Sequence, residues 1–272
     1  MLRQRLSDKL STKEPAGQVK LVGKSKSGDK AETPPGRKTA AVKRDPVPWA
    51  YEGEGAPEHW ADLGPDNRLC ASGQRQSPID IKDTIKVDLE KIRFDYQPGG
   101  FAVLDNGRTV QVNIAPGSSI QVMGRRYELV QFHFHRPAEE RLNGRQFDMV
   151  AHLVHKDAEG HLAVVAILLD RDLDNKPQPL VQQVWNNLPL EKFEALTGPG
   201  TMDLRQLLPE DRSYFTFMGS LTEPPCTEGV LWMVMRQPVL LTTSQIAIFA
   251  KLYPMNARPI QAVAGRLIKE SQ

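Results

Sequence analysis

Only two cysteines, Cys70 and Cys226, occur in the 272 residues. Two cysteines standing 156 positions apart are by themselves weak evidence for any cysteine-built site. No run of 18 or more apolar residues is present, which argues against a membrane-spanning helix. Excess charge of one sign is also missing: 35 basic and 33 acidic residues give +2, too little to draw the whole chain to nucleic acid. Aromatic residues make up 7% of the chain, and none lies in the first 45 positions. That stretch is rich in Lys, Ser, Gly and Pro and carries twelve lysines and arginines against five acids. It cannot bury enough apolar area to offset its ordering entropy, so residues 1–45 are expected to be a disordered basic tail. The tail is a solvated spacer or an arm toward an anionic surface. Nothing hydrophobic follows Met1-Leu-Arg-Gln-Arg-Leu, so no signal peptide is visible.

Residues 46–272 hold the remaining 23 basic and 28 acidic residues, about −5, and are long enough for one sizeable core. The pair Cys70 and Cys226 stays open on spacing alone. Reduced thiols are the rule in a cytosolic chain. A bridge closing so long a loop would contribute roughly 4–5 kcal/mol and point to an oxidising compartment.

Alternating apolar and polar residues predict strands over Thr109–Ile114, Tyr127–His135, Phe147–His155, Leu162–Leu169, Tyr214–Leu221 and Val230–Met235. Shorter strands are expected between Val87 and Leu104. Asp105-Asn106-Gly107-Arg108 signals a tight turn. Helical spacing of Leu180, Val181, Val184, Trp185 and Leu188 predicts a helix over Pro179–Leu188. A second helix over Thr243–Leu252 starts with good capping chemistry in its threonines and serine. No repeat is evident. The class is a mostly-β single domain with a few short helices.

Five of the six histidines fall between Gln131 and Asp170. His133 and His135 lie two apart on one predicted strand, so both imidazoles face one side. His152 sits on the next strand; if it points inward, His155 faces the opposite side. Ordinary half-buried strand histidines are the plain alternative. Three converging imidazoles with no cysteine nearby fit an open catalytic zinc site better, with iron, copper and nickel as lesser candidates. His155 is expected to serve as a structural hydrogen-bonder, and His161 to be exposed beside a turn.

The stretches QFHFH, PAEE, AHLVH, GSLTEPPCTEG, QSPIDI, PEHW and NARPIQ, in that composition and in family order, together resemble the α-class carbonic anhydrases of bacterial type. The resemblance runs from about residue 49 to 266. It implies a mostly-β domain on a large twisted, mainly antiparallel central sheet with a few short peripheral helices. It implies reversible hydration of carbon dioxide to bicarbonate and a proton by zinc-bound hydroxide, with His133, His135 and His152 as zinc ligands. Thr222 matches the hydroxyl that accepts the hydroxide's hydrogen, and Glu139 matches the carboxylate that holds the threonine's proton. Val154, Val164, Leu221, Val230 and Trp232 match the apolar wall for carbon dioxide. Gln131 matches an acceptor for a ligand imidazole, and Cys70 and Cys226 match the bridging pair of bacterial and extracellular members. A periplasmic or extracellular location, and a monomer or homodimer, follow from the same resemblance.

Four positions depart from the family pattern. The position before Ala151-His152 is usually glutamate; here it is Val150, which leaves His152 without that acceptor. Arg108 stands where many members carry a proton-shuttling histidine, although members lacking it work with buffer. Glu223 follows Thr222 where threonine or histidine is usual, so it is a third candidate catalytic group. Glu140 replaces a histidine beside Glu139 and is expected to weaken a supporting hydrogen bond. A rate below that of typical members is therefore expected. The competing reading is a non-catalytic, carbonic-anhydrase-related binding protein that retains zinc.

Overall fold

Eleven residues from Arg125 to His135 form the longest strand among the described residues, and the domain is arranged around it. The structure, a computed structural model, describes residues 47–174 and 176–271; the tail expected over 1–45 lies outside them. On one side this strand pairs antiparallel with Met149–Lys156, and on the other with Val110–Ile114 and Ser119–Val122. The full order across the main path runs Ala195–Thr197, Phe101–Asp105, Val110–Ile114, Arg125–His135, Met149–Lys156, Leu162–Arg171, Glu228–Met235, Tyr214–Ser220, Lys269–Ser271, Ile85–Val87. With side strands this makes a 13-stranded sheet among the described residues.

The sheet is mixed rather than purely antiparallel. Leu162–Arg171 runs parallel to Glu228–Met235 and to Val239–Leu241, and Lys269–Ser271 runs parallel to Ile85–Val87. A parallel pair needs a long crossover between its members, and the connection from residue 172 to 227, which includes the Tyr214–Ser220 strand, supplies one between Leu162–Arg171 and Glu228–Met235.

Side-chain alternation splits the interior in two. Phe132, Phe134, Ala151 and Leu153 belong to the larger apolar cluster. The helices Pro179–Trp185 and Thr243–Leu252 cover it, placing the Trp185 and Phe249 rings 5.0 and 6.1 Å from the Phe134 ring. Full burial of one such phenylalanine contributes about 1.5–3 kcal/mol. Val150, Val164, Trp232 and Val234 belong to the second cluster, on the other face. The first helix stops at Trp185 rather than Leu188, and Pro189 keeps Leu188, the residue before it, out of the helix. The second begins as its sequence demands: Thr242 and Gln245 form a reciprocal capping box.

Candidate metal centre

Register places the histidines together. His152 lies directly opposite His133, and Val150 opposite His135. The three ring centroids are 4.8–5.5 Å apart, and one nitrogen from each ring lies within 4.8 Å of the others. The remaining nitrogen of each ring has its own partner. Gln131 Oε1 accepts from His133 Nδ1 at 3.0 Å, and the Asn256 carbonyl accepts from His135 Nδ1 at 2.7 Å. Glu140 Oε2 accepts from His152 Nε2 at 3.2 Å. These acceptors fix the tautomers and leave His133 Nε2, His135 Nε2 and His152 Nδ1 with free lone pairs.

The electrostatics suit a cation. Burial is the main cause holding the pKa of all three rings below the usual histidine value, so they are neutral ligands near pH 7. His135 Nε2 is fully buried without a hydrogen-bond partner, an orphan that a metal ion would satisfy. An all-imidazole donor set with that geometry fits zinc. A second group, Asp157, Glu159 and His161, also clusters. There Asp157 Oδ2 is already engaged by His161 Nδ1 and Arg125 Nη1, at 2.9 and 3.2 Å.

The loop after His135 carries two buried carboxylates, Glu139 and Glu140. Glu139 Oε1 accepts from the Arg258 amide at 2.8 Å. Its Oε2 lies 3.6 Å from His135 Nε2 and 3.9 Å from His152 Nδ1. Burial, then the neighbouring Glu140, pushes the Glu139 pKa well up, while hydrogen bonding from Thr222 and the Arg258 amide draws it back. Burial pushes Glu140 up to about 7. The expectation that His152 lacks support is corrected here: Val150 offers none, but Glu140 reaches the ring from the loop. Glu140 therefore adds a hydrogen bond at the centre instead of weakening one.

Thr222 is buried at the end of the Tyr214–Ser220 strand. Its loop is tied down by Leu221 N–H to the Thr227 carbonyl and by Cys226 N–H to the Glu223 carbonyl. Cys226 is disulfide-bonded to Cys70. The buried Arg258 guanidinium donates to the Cys70 and Ser77 carbonyls and to Gln76 Oε1, so one residue braces the disulfide and, through its amide, Glu139. Burial lowers its pKa to about 10. Glu223 is half-buried. Burial raises its pKa, and the nearby His135 and Arg108 oppose that. Arg108 is spread over the Trp49 ring at 4.0 Å and donates to the Trp49 carbonyl.

The five apolar candidates share the second cluster. Val154 pairs with Val164, and Val164 with Trp232, so the three form a row across adjacent strands. Trp232 meets His152 edge-on at 5.0 Å, and Val230 and Leu221 extend the patch. Asn256 and Arg258 were not assigned roles from sequence. Both lie in the NARPIQ stretch, where nothing local shows that they fold against the histidines. Asn256 Nδ2 donates to the Phe134 and Arg108 carbonyls, and its Oδ1 accepts the Arg136 amide.

Comparisons with known proteins agree on one family. The family model of the eukaryotic-type carbonic anhydrases matches residues 55–272. A carbonic anhydrase of Nostoc sp. is 39% identical over 239 residues, spanning 86% of this chain and 89% of the relative. The structure of a hyperthermostable carbonic anhydrase from an active hydrothermal vent chimney superposes with a TM-score of 0.79 at 40% identity, covering 82% of this chain and all of the other. Dioscorin complexed with ascorbate superposes with a TM-score of 0.76 at 30% identity, covering 82% and 98%.

Proposed function

The chain belongs to the eukaryotic-type carbonic anhydrase family and hydrates carbon dioxide reversibly, and from that premise we propose that it does so with a zinc ion held by His133, His135 and His152. One observation carries this reading. Three neutral imidazoles, two buried and one half-buried, aim free nitrogens at one point while their other nitrogens are each locked by an acceptor. When bound, zinc supplies a water acidic enough to give hydroxide near neutral pH.

The protein's own groups set direction and environment. Thr222 and Glu139 would act as a donor–acceptor chain in which Glu139, anchored by the Arg258 amide, accepts a hydrogen bond from the threonine hydroxyl and leaves the hydroxyl oxygen free to accept another. With zinc bound, that acceptor would point its oxygen ligand toward the patch of Val154, Val164, Leu221, Val230 and Trp232, which suits an uncharged substrate. Glu223 places a carboxylate beside His135, disfavouring a bound anion and raising the pKa of the water. Arg108 offers only donors and no lone pair that could accept a proton, so turnover falls below that of members with a histidine there. The disulfide supports a periplasmic or extracellular setting, and a monomer or homodimer remains the proposed assembly.

Stopped-flow hydration of carbon dioxide, with zinc measured on the same sample, tests this. Stoichiometric zinc and a rate well above buffer are expected. The second reading, a zinc-retaining binding protein, draws on the similarity to dioscorin. Full zinc with no rate above buffer would favour it.

A further inference from the structure

All three imidazoles sit on two neighbouring strands, and their orienting groups are supplied in different ways. On Arg125–His135 the acceptor for His133 is Gln131, two residues earlier and on the same face. On Met149–Lys156 the corresponding place, two residues before His152, is Val150, fully buried and without any acceptor. The His152 ring meets Trp232 on one side, and its Nε2 meets Glu140, both of whose oxygens lie 3.2 Å away.

We propose that Glu140 is the positioning residue of the third ligand: its carboxylate holds His152 in the tautomer that presents Nδ1 to the metal, and so governs how long zinc is retained. The inference builds on the zinc reading above. Three features of the loop carry it. Glu140 is completely buried, and no lysine or arginine pairs with it among the described residues. An unpaired buried carboxylate is costly, and the cost falls when an imidazole N–H points at it, more so once the ring's other nitrogen binds a cation. The carboxylate is also set rigidly. On one side the Ala138 amide donates to the Phe147 carbonyl at 3.1 Å, and on the other the Arg141 amide donates to the Ile79 carbonyl at 3.2 Å. With Val150 in the strand, no other acceptor for Nε2 is present among the described residues.

The test is zinc release from the holoprotein into excess chelator, followed with a chromogenic indicator. Glu140→Leu should release zinc about 10–100-fold faster than the wild type, with Glu140→Gln between them because its amide oxygen keeps the acceptor without the charge. A Glu140→Leu rate within about twofold of a zinc-loaded wild type would overturn the proposal while leaving the zinc reading intact. A wild type that takes up no zinc would instead overturn the zinc reading. Should the leucine variant not fold, the ring N–H resonances of the zinc-loaded Glu140→Gln protein decide. The His152 Nε2–H signal should move while those of His133 and His135 stay. An unmoved His152 signal would refute the role, since a merely structural glutamate would leave it in place.

Discussion

Replacing His155 with glutamine should remove about 2.5 kcal/mol of acid sensitivity from the folded domain. His155 lies three residues beyond the third ligand, so strand alternation turns it to the opposite face, where it pairs with Leu129 of the neighbouring strand. There its ring stacks on Tyr96 at 5.9 Å, and its Nε2 accepts from the Tyr96 hydroxyl at 3.0 Å. Burial raises the Tyr96 pKa, so the phenol stays protonated. Burial also lowers the His155 pKa from 6.5 to about 4. The folded pKa is thus depressed, and between the two values the unfolded chain binds more protons than the folded one. The stabilisation is complete above pH 6.5 and is lost as the pH falls toward 4. At pH 4.5 the linkage integral is about 2.5 kcal/mol relative to pH 8. Urea unfolding of wild type and His155→Gln at both pH values measures it, with chelator in every sample so that zinc loss is common to all. The raised pKa values of Glu139 and Glu140 cancel between the two proteins. The advantage of the wild type over the variant should shrink by that amount at pH 4.5. A difference unchanged to within about 0.5 kcal/mol would refute burial as the controlling force.

Two further outcomes test the site. Arg108→His should raise hydration turnover in dilute buffer by about tenfold or more, and concentrated imidazole should do the same for the wild type; turnover independent of buffer in both proteins would contradict the missing relay. Glu223→Thr should move the activity–pH midpoint downward, because removing a carboxylate beside His135 lowers the pKa of the attacking water. An unmoved midpoint would show that Glu223 does not act on the centre.

The departures at positions 140 and 150 illustrate where linear reading stops. Strand parity puts Val150 and His152 on one face, so the loss of an acceptor at Val150 is legible. Its replacement is not, because Glu140 lies ten residues away, across a turn and two short strands. The same limit hides Asn256, which is 121 positions from the ring it orients. It also hides the parallel pairing of Leu162–Arg171 with Glu228–Met235, since alternation looks alike in parallel and antiparallel neighbours.

What the sequence determined by itself was everything of short range. Period-2 alternation set most of the long strands to within one or two residues, and capping chemistry started the helix at Thr243. Two-residue spacing put His133 and His135 on one face and sent Phe134 into the core behind them. Motif spacing was specific enough to carry the family resemblance. Only the tertiary structure decided which nitrogen of each imidazole is free. Those acceptors come from a strand neighbour, a loop and a segment 121 positions distant, and only sheet register and loop packing bring them into contact. Hydrogen bonds reach about 3 Å, whereas the order of residues along a chain says nothing at that scale about partners brought together by folding.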